Sequence, residues 1–229
     1  MTGNPDNTLE VMIRIKICGV TTPEEACMAA EAGADAVGLN FYPPSPRFVT
    51  PSQAAAIVRA LPAFTAPVGV FVEKPLRQAC AMAFQLGLRA IQTYDDPPAT
   101  EDPFPFAHIP AFRVQSAEQL AAIASWVRSA QSAGRGPAAV LIDAHVPGQF
   151  GGTGRPAPWE LLAEADLGTA VILAGGLTPD NVGQAIRLVR PWGVDVASGV
   201  ESAPGRKDPA RVAEFVKAAQ EAAQSAREA

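Results

Sequence analysis

Ile13-Arg14-Ile15-Lys16-Ile17-Cys18-Gly19 decides how the rest of this chain is read. Its apolar, β-branched run predicts a first β-strand, with Cys18 where the strand gives way to the loop before the next helix. Side chains alternate along a strand. Lys16 and Cys18 therefore share one face, while Ile13, Ile15 and Ile17 share the other, which a surrounding layer of helices would bury. A lone Lys-x-Cys is ordinarily a small buried thiol beside a snorkelling charge. Here the pair falls at the carboxyl end of a strand, where barrels and open sheets of parallel strands build their active sites.

The same grammar of strand, loop, cap and proline recurs along the chain. Thr22-Pro23, Thr50-Pro51, Thr178-Pro179 and Asp208-Pro209 each predict an N-cap acceptor followed by proline at the first helical position, where its missing N–H costs nothing. Glu25 and Gln53 are expected to complete capping boxes with Thr22 and Thr50. Strands are expected at 14–17, 36–40, 68–72, 89–92, about 111–114, 139–143, 170–174 and 194–197. Such βαβ alternation builds a parallel sheet. In 229 residues, about eight units predict an α/β fold: a single-domain (β/α)8 TIM barrel over 11–229, behind a flexible N-terminal tail at 1–10. A doubly wound open sheet is the alternative, but its Gly-x-Gly-x-x-Gly turn is missing after the first strand. One segment breaks the grammar. Prolines at 97, 98, 103, 105 and 110 leave no room for a regular helix over 95–110, so an irregular crossover between strands 4 and 5 is expected.

Composition narrows the partners. With 48% hydrophobic and 18% charged residues the chain reads as a globular protein with one sizeable core. A net charge of -5 without a Lys/Arg-rich block argues against nucleic acid or a membrane surface as partner, so local groups must hold any anionic ligand. Cys18, Cys27 and Cys80 form an odd set without metal-ligand spacing, which fits a reducing, cytoplasmic location. The polar stretch 1–10 does not read as a signal peptide, and no apolar run approaches the ~20 residues of a membrane span.

The loops after the strands carry the chemistry. Ala174-Gly175-Gly176-Leu177-Thr178-Pro179 follows the seventh strand and Ala197-Ser198-Gly199-Val200 the eighth. Either alone is a tight turn. Together, at the end of the last two strands of a barrel, their bare amides suit a phosphate group. Asp143 ends the sixth strand and precedes Pro147-Gly148-Gln149-Phe150-Gly151-Gly152-Thr153-Gly154, a long glycine-rich loop that reads as either a solvated connector or a lid. After the second strand, Tyr42-Pro43-Pro44-Ser45-Pro46-Arg47 ends a proline-stiffened loop in a guanidinium suited to a carboxylate or phosphate.

Lys16-Ile17-Cys18-Gly19, Phe41-Tyr42-Pro43 with Ser45-Pro46-Arg47, Asp143 with 147–154, Leu173-Ala174-Gly175-Gly176-Leu177 and Asp195-Val196-Ala197-Ser198-Gly199-Val200-Glu201 together resemble the phosphoribosylanthranilate isomerase family. The likeness runs over nearly the whole chain in the family's order. It implies a cytoplasmic enzyme of tryptophan biosynthesis, without cofactor or metal, working as a monomer or weak homodimer on a small phosphorylated substrate. The reaction implied is the Amadori rearrangement of N-(5'-phosphoribosyl)anthranilate to 1-(o-carboxyphenylamino)-1-deoxyribulose 5-phosphate. By the same resemblance Cys18 matches the general base, Asp143 the general acid and Arg47 the binder of the anthranilate carboxylate. Gly152, Gly175, Gly176, Asp195, Ser198 and Gly199 complete the expected substrate site. One departure stands out: the family's Gln-Leu-His-Gly-like run reads Gln92-Thr93-Tyr94-Asp95 here.

The chemistry asks for these residue types. Ring opening needs an acid to protonate the departing ring oxygen, and the resulting Schiff base must then lose its C2' proton to a base across the substrate. Lys16, one layer below Cys18, has the sign that favours a thiolate. Two other readings are a phosphate-binding barrel that has lost catalysis, suggested by Tyr94 and Asp95, and another phosphosugar isomerase or epimerase. A binder has no need of a matched acid and base, and the third reading gives no reason for Arg47.

Overall fold

Eight parallel strands pair in sequence order and close into a barrel in the computed structural model, which describes residues 13–94, 106–143 and 158–228. They are β1 (Arg14–Cys18), β2 (Ala36–Asn40), β3 (Ala66–Phe71), β4 (Ala90–Thr93), β5 (Ala107–Arg113), β6 (Val140–Asp143), β7 (Val171–Ala174) and β8 (Gly193–Val196). Closure comes from β8 pairing back onto β1 through Lys16↔Asp195 and Ile17↔Val196. Helices α1 (Pro23–Glu31), α2 (Pro51–Ala60), α3 (Leu76–Leu86), α4 (Ala117–Ser132), α5 (Pro158–Ala163), α6 (Val182–Val189) and α7 (Pro209–Glu228) are interleaved with the strands. The closed ring excludes the open-sheet alternative. The expected tail at 1–10 and the crossover over 95–105 lie outside the described residues.

Alternation sorts the core into two layers. Ile15, Ile17, Val37, Leu39, Ile91 and Ile142 face the helices, and Val68, Ala90, Ile109, Leu141 and Ile172 fill the barrel interior. Lys16 and Cys18 point inward, both nearly buried, as the alternation in β1 predicts. No helix among the described residues is long and apolar enough to cross a membrane.

Three local expectations need correction. Thr50 and Gln53 form the expected capping box, and Thr22 Oγ1 accepts from the Glu25 N–H at 3.2 Å. The Glu25 carboxylate, however, accepts from the Thr21 N–H (2.8 Å) and the Lys207 N–H (2.7 Å), tying α1 to a distant turn rather than closing a box with Thr22. Thr178-Pro179 does not open a helix. Asn181 Oδ1 accepts from the Thr178 N–H at 2.8 Å, holding 178–181 as a turn, and α6 begins at Val182. Finally, β5 starts at Ala107 rather than near 111, and it includes Pro110. Pairing with β6 begins only at Ala111↔Leu141, so the missing Pro110 N–H falls outside that ladder.

The early start of β5 puts His108 against β4, with its Nε2 3.0 Å from Thr93 Oγ1. Burial pulls the imidazole pKa down to about 4. The unfolded chain, with an ordinary value near ~6.5, binds this proton first on acidification. Stability should therefore be intact above pH ~6.5 and fall by roughly 3 kcal/mol as pH drops through the window down to about 4. Urea midpoints between pH 7 and 4.5 measure the slope, which His108→Gln should flatten.

Candidate active site

At the carboxyl ends of the strands the barrel opens into a cavity of about 900 Å³, lined among others by Cys18, Asn40, Arg47, Tyr94 and Asp143. Residues from four different βα units thus meet over one space. Two glycines make that meeting possible. Gly19, at φ +75°, lets Arg47 lie across the turn that follows Cys18, because a Cβ there would overlap the Arg47 Cδ. Gly38 faces the inner layer, and a Cβ there would fall 2.8 Å from Cys18 Sγ and 3.1 Å from Lys16 Nζ. The bare backbone therefore lets the ammonium and the thiol share one corner. The Gly38 carbonyl also accepts from the Gly19 N–H (2.9 Å) and the Val20 N–H (3.1 Å), fixing the chain directly after Cys18.

Burial sets the electrostatics. It pushes the Cys18 thiol up, while the positive charges of Lys16 and Lys207 pull it back part of the way. Lys16 donates to Asp195 Oδ1 at 2.8 Å with both side chains almost fully enclosed. Burial works against the Lys16 ammonium, yet the charges of Asp195 and Cys18 outweigh it and leave the pKa raised. Burial also raises the Tyr94 phenol, with Cys18 and Asp195 adding to the shift, so it faces the cavity as a neutral hydroxyl.

Arg47 makes a bidentate ion pair. Its Nε and Nη2 donate to the two oxygens of Glu201, each at 2.7 Å. Lys207 Nζ donates to Glu201 Oε1 at 2.8 Å and to the Ala197 carbonyl at 3.0 Å. Glu201 and Lys207 belong to a short antiparallel hairpin, β9 (Glu201–Ala203) and β10 (Arg206–Lys207), which follows a single 3-10 turn at Ser198–Val200.

The two glycine-containing loops after β7 and β8 touch. A Cβ on Gly199 would overlap the Leu177 carbonyl oxygen, so only glycine allows this approach. Gly175 and Gly176 have φ +90° and +66°, and Asn181 Nδ2 donates to the Gly176 carbonyl at 2.9 Å, bracing the loop. Asp195 sits lower in the barrel, engaged by Lys16. Gly152 and the loop 147–154 lie outside the described residues. Among the described residues, no three His, Cys, Asp or Glu side chains converge as a metal site would require.

Comparison with known proteins gives this geometry a family. The model of N-(5'phosphoribosyl)anthranilate (PRA) isomerase matches residues 15–218. The N-(5'-phosphoribosyl)anthranilate isomerase of Geobacter sulfurreducens is 46% identical over 209 residues, covering 91% of this chain and 98% of its own. The chain belongs to the phosphoribosylanthranilate isomerase family. The solved phosphoribosylanthranilate isomerase of Thermotoga maritima is similar with TM-score 0.76 and 36% identity, over 92% of this chain and 100% of that one. A second, in complex with reduced 1-(o-carboxyphenylamino)-1-deoxyribulose 5-phosphate, has TM-score 0.74 and 33% identity over the same shares.

As a phosphoribosylanthranilate isomerase the chain is an enzyme, and three of its rim residues escaped sequence reasoning. Glu201 stood inside a quoted motif, but its partner Arg47 is 154 residues away. Lys207 carries no motif of its own before Asp208-Pro209, and Asn181 was hidden behind Thr178-Pro179. The one local hint was an asparagine three residues after Thr178, whose side chain can reach back to the Thr178 N–H. Tyr94, directly after β4, lines the same cavity as Cys18.

Proposed function

We propose that this enzyme of tryptophan biosynthesis converts N-(5'-phosphoribosyl)anthranilate to 1-(o-carboxyphenylamino)-1-deoxyribulose 5-phosphate, with Asp143 as general acid and Cys18 as general base. The observation that carries this reading is the single cavity shared by Cys18, Arg47 and Asp143 in a chain of this family. Asp143 donates a proton to the ribose ring oxygen as the C1'–O bond breaks, and the nitrogen lone pair forms the Schiff base. Cys18 takes the C2' proton through the fraction of it that is thiolate; the electron pair moves to give the enolamine, which relaxes to the ketone by protonation at C1' and loss of the C2' hydroxyl proton. Lys16 favours the thiolate by its charge. The Arg47 guanidinium holds the anthranilate carboxylate. Gly152 serves substrate binding as the resemblance implies, and Asp195 acts on the substrate site from below, through Lys16.

The phosphate is held by amides around Gly175, Gly176, Ser198 and Gly199, a reading supported by the direct contact of the two loops where Gly199 meets Leu177. Gly176→Val adds bulk at the rim and a strained φ, so KM should rise about tenfold or more while kcat changes less. A thermal melt separates strain from lost binding, and an unchanged KM removes Gly176 from the phosphate site. Three unpaired thiols support a reducing, cytoplasmic setting. Large exposed apolar side chains among the described residues, Phe64, Phe84, Leu188 and Trp192, are scattered over separate elements, which supports a monomer or weak homodimer. The decisive assay follows the loss of phosphoribosylanthranilate fluorescence: turnover by the purified protein is expected, and none overturns the proposal.

A further inference from the structure

We infer that Glu201 and Lys207, both on the hairpin after β8, are positioning residues that aim Arg47 so that one defined edge of its guanidinium meets the carboxylate of the substrate. The inference rests on the reading that Arg47 binds that carboxylate. A guanidinium has five N–H donors in a rigid plane. Glu201 takes the side-on pair, from Nε and Nη2, at 2.7 Å each. The end-on pair, from Nη1 and Nη2, is the edge left for a second carboxylate, and Arg47 is the member of this network that lines the cavity.

The support behind Arg47 is unusually dry for a rim. Side-chain exposure falls from 22% at Arg47 to 4% at Glu201 and 0% at Lys207. Burial opposes the Glu201 charge, but hydrogen bonds from Arg47 and Lys207 outweigh it and hold the carboxyl below its ordinary range. With Lys207 also bonded to the Ala197 carbonyl, Glu201 is pinned from behind, and its two oxygens face one way. The hairpin is itself anchored on both neighbouring loops. The Lys207 N–H donates to Glu25, Thr21 Oγ1 donates to the Gly205 carbonyl at 3.1 Å, and a Cβ on Gly205 would overlap the Pro46 carbonyl oxygen. An arginine on a loop samples many rotamers; this one is fixed in the plane that a carboxylate needs.

A buried ion pair that merely holds the hairpin would predict the same distances, so the test must read ligand discrimination. Two ligands are compared by competition binding: reduced 1-(o-carboxyphenylamino)-1-deoxyribulose 5-phosphate and its phenylamino counterpart without the carboxyl group. The natural chain should prefer the first. Glu201→Gln should cut that preference about 10- to 100-fold and raise KM more than it lowers kcat, while affinity for the second ligand stays near its original value. Because Glu201→Gln alone leaves Lys207 buried without its anion, the paired variant Glu201→Gln with Lys207→Met removes both charges and should show the same loss. Arg47→Met is the control. If Arg47→Met abolishes the preference and the Glu201 variants keep it, the positioning role is wrong and the Arg47 reading stands. If Arg47→Met keeps the preference, the Arg47 reading itself fails. A crystal of the natural chain with the carboxylated ligand gives an answer independent of any variant. The ligand carboxylate on Nη1 and Nη2, with Glu201 still on Nε, is expected; a carboxylate that displaces Glu201 or bonds elsewhere overturns the inference.

Discussion

Cys18→Ser is expected to lower kcat by a factor of ~10² to 10⁴ with little change in substrate affinity. The substitution keeps the shape that Gly38 and Lys16 enclose but replaces a titratable thiol with a hydroxyl that barely ionises. Asp143→Asn should fall as far, because an amide can hydrogen-bond the ring oxygen but has no proton to give it. Ring opening and C2' proton abstraction are sequential, so the double variant need not show the product of the two losses. The raised Cys18 pKa adds a pH signature. A thiol whose pKa lies above its ordinary value is protonated over a wider range, so alkylation by iodoacetamide should stay slow at neutral pH and climb only as pH rises past the ordinary thiol region. A phosphorylated ligand should slow it further by occupying the cavity. Wild-type turnover by Cys18→Ser, or by the alkylated enzyme, would transfer the role of base to another group.

Asp195→Ala should destabilise the barrel by about 3 to 5 kcal/mol, because it leaves the Lys16 ammonium buried without its counter-ion. The pair sits in direct register where the ring closes, on the first and last strands, and both side chains are about one-twentieth exposed. Replacing both partners with apolar residues of similar size, Lys16→Met with Asp195→Leu, should recover most of that loss, since desolvation of two charges disappears along with their attraction. The double variant has a second expected effect. The Lys16 charge that lowers the Cys18 pKa outweighs the Asp195 charge that raises it, so with the pair gone the alkylation profile should shift to higher pH. Denaturant midpoints at fixed pH measure the first effect. An Asp195→Ala melt that matches the natural chain would show that the ion pair is not what holds this corner.

Much of the site was legible because it lies on local periodicities. Alternation in a five-residue strand is enough to put Lys16 and Cys18 on the inner face, and it holds whatever the strand's neighbours are. Caps at Thr22, Thr50 and Asp208 act within a single turn of helix, so their donors are encoded a few residues away. The resemblance then attached roles to Cys18, Asp143 and Arg47, and the barrel brings these three to one cavity.

Local signals failed where a different contact prevailed, in one case from far along the chain and in another from three residues away. Glu25 was expected to close its own capping box but is claimed by the Lys207 N–H, 182 residues away. Thr178-Pro179 carries every mark of a helix start, yet Asn181 captures the Thr178 amide first. Proline density over 95–110 hid the opening of β5, because pattern reading cannot tell on which side of a strand a missing N–H will fall.

The sequence alone therefore determined the alternation of strands and helices and the inward face of β1, both of which follow from short-range sterics and hydrogen bonding. Lys16 meets Asp195 as their inward positions on the first and last strands lead one to expect. Tertiary structure alone decided that Glu201 takes the side-on donors of Arg47 and that Gly38 makes room for ammonium and thiol together. Those outcomes depend on ring closure, which brings residues far apart in the chain within 3 Å. Strand pairing over such separations is selected by the packing of the whole barrel and leaves no periodic trace in the residues themselves.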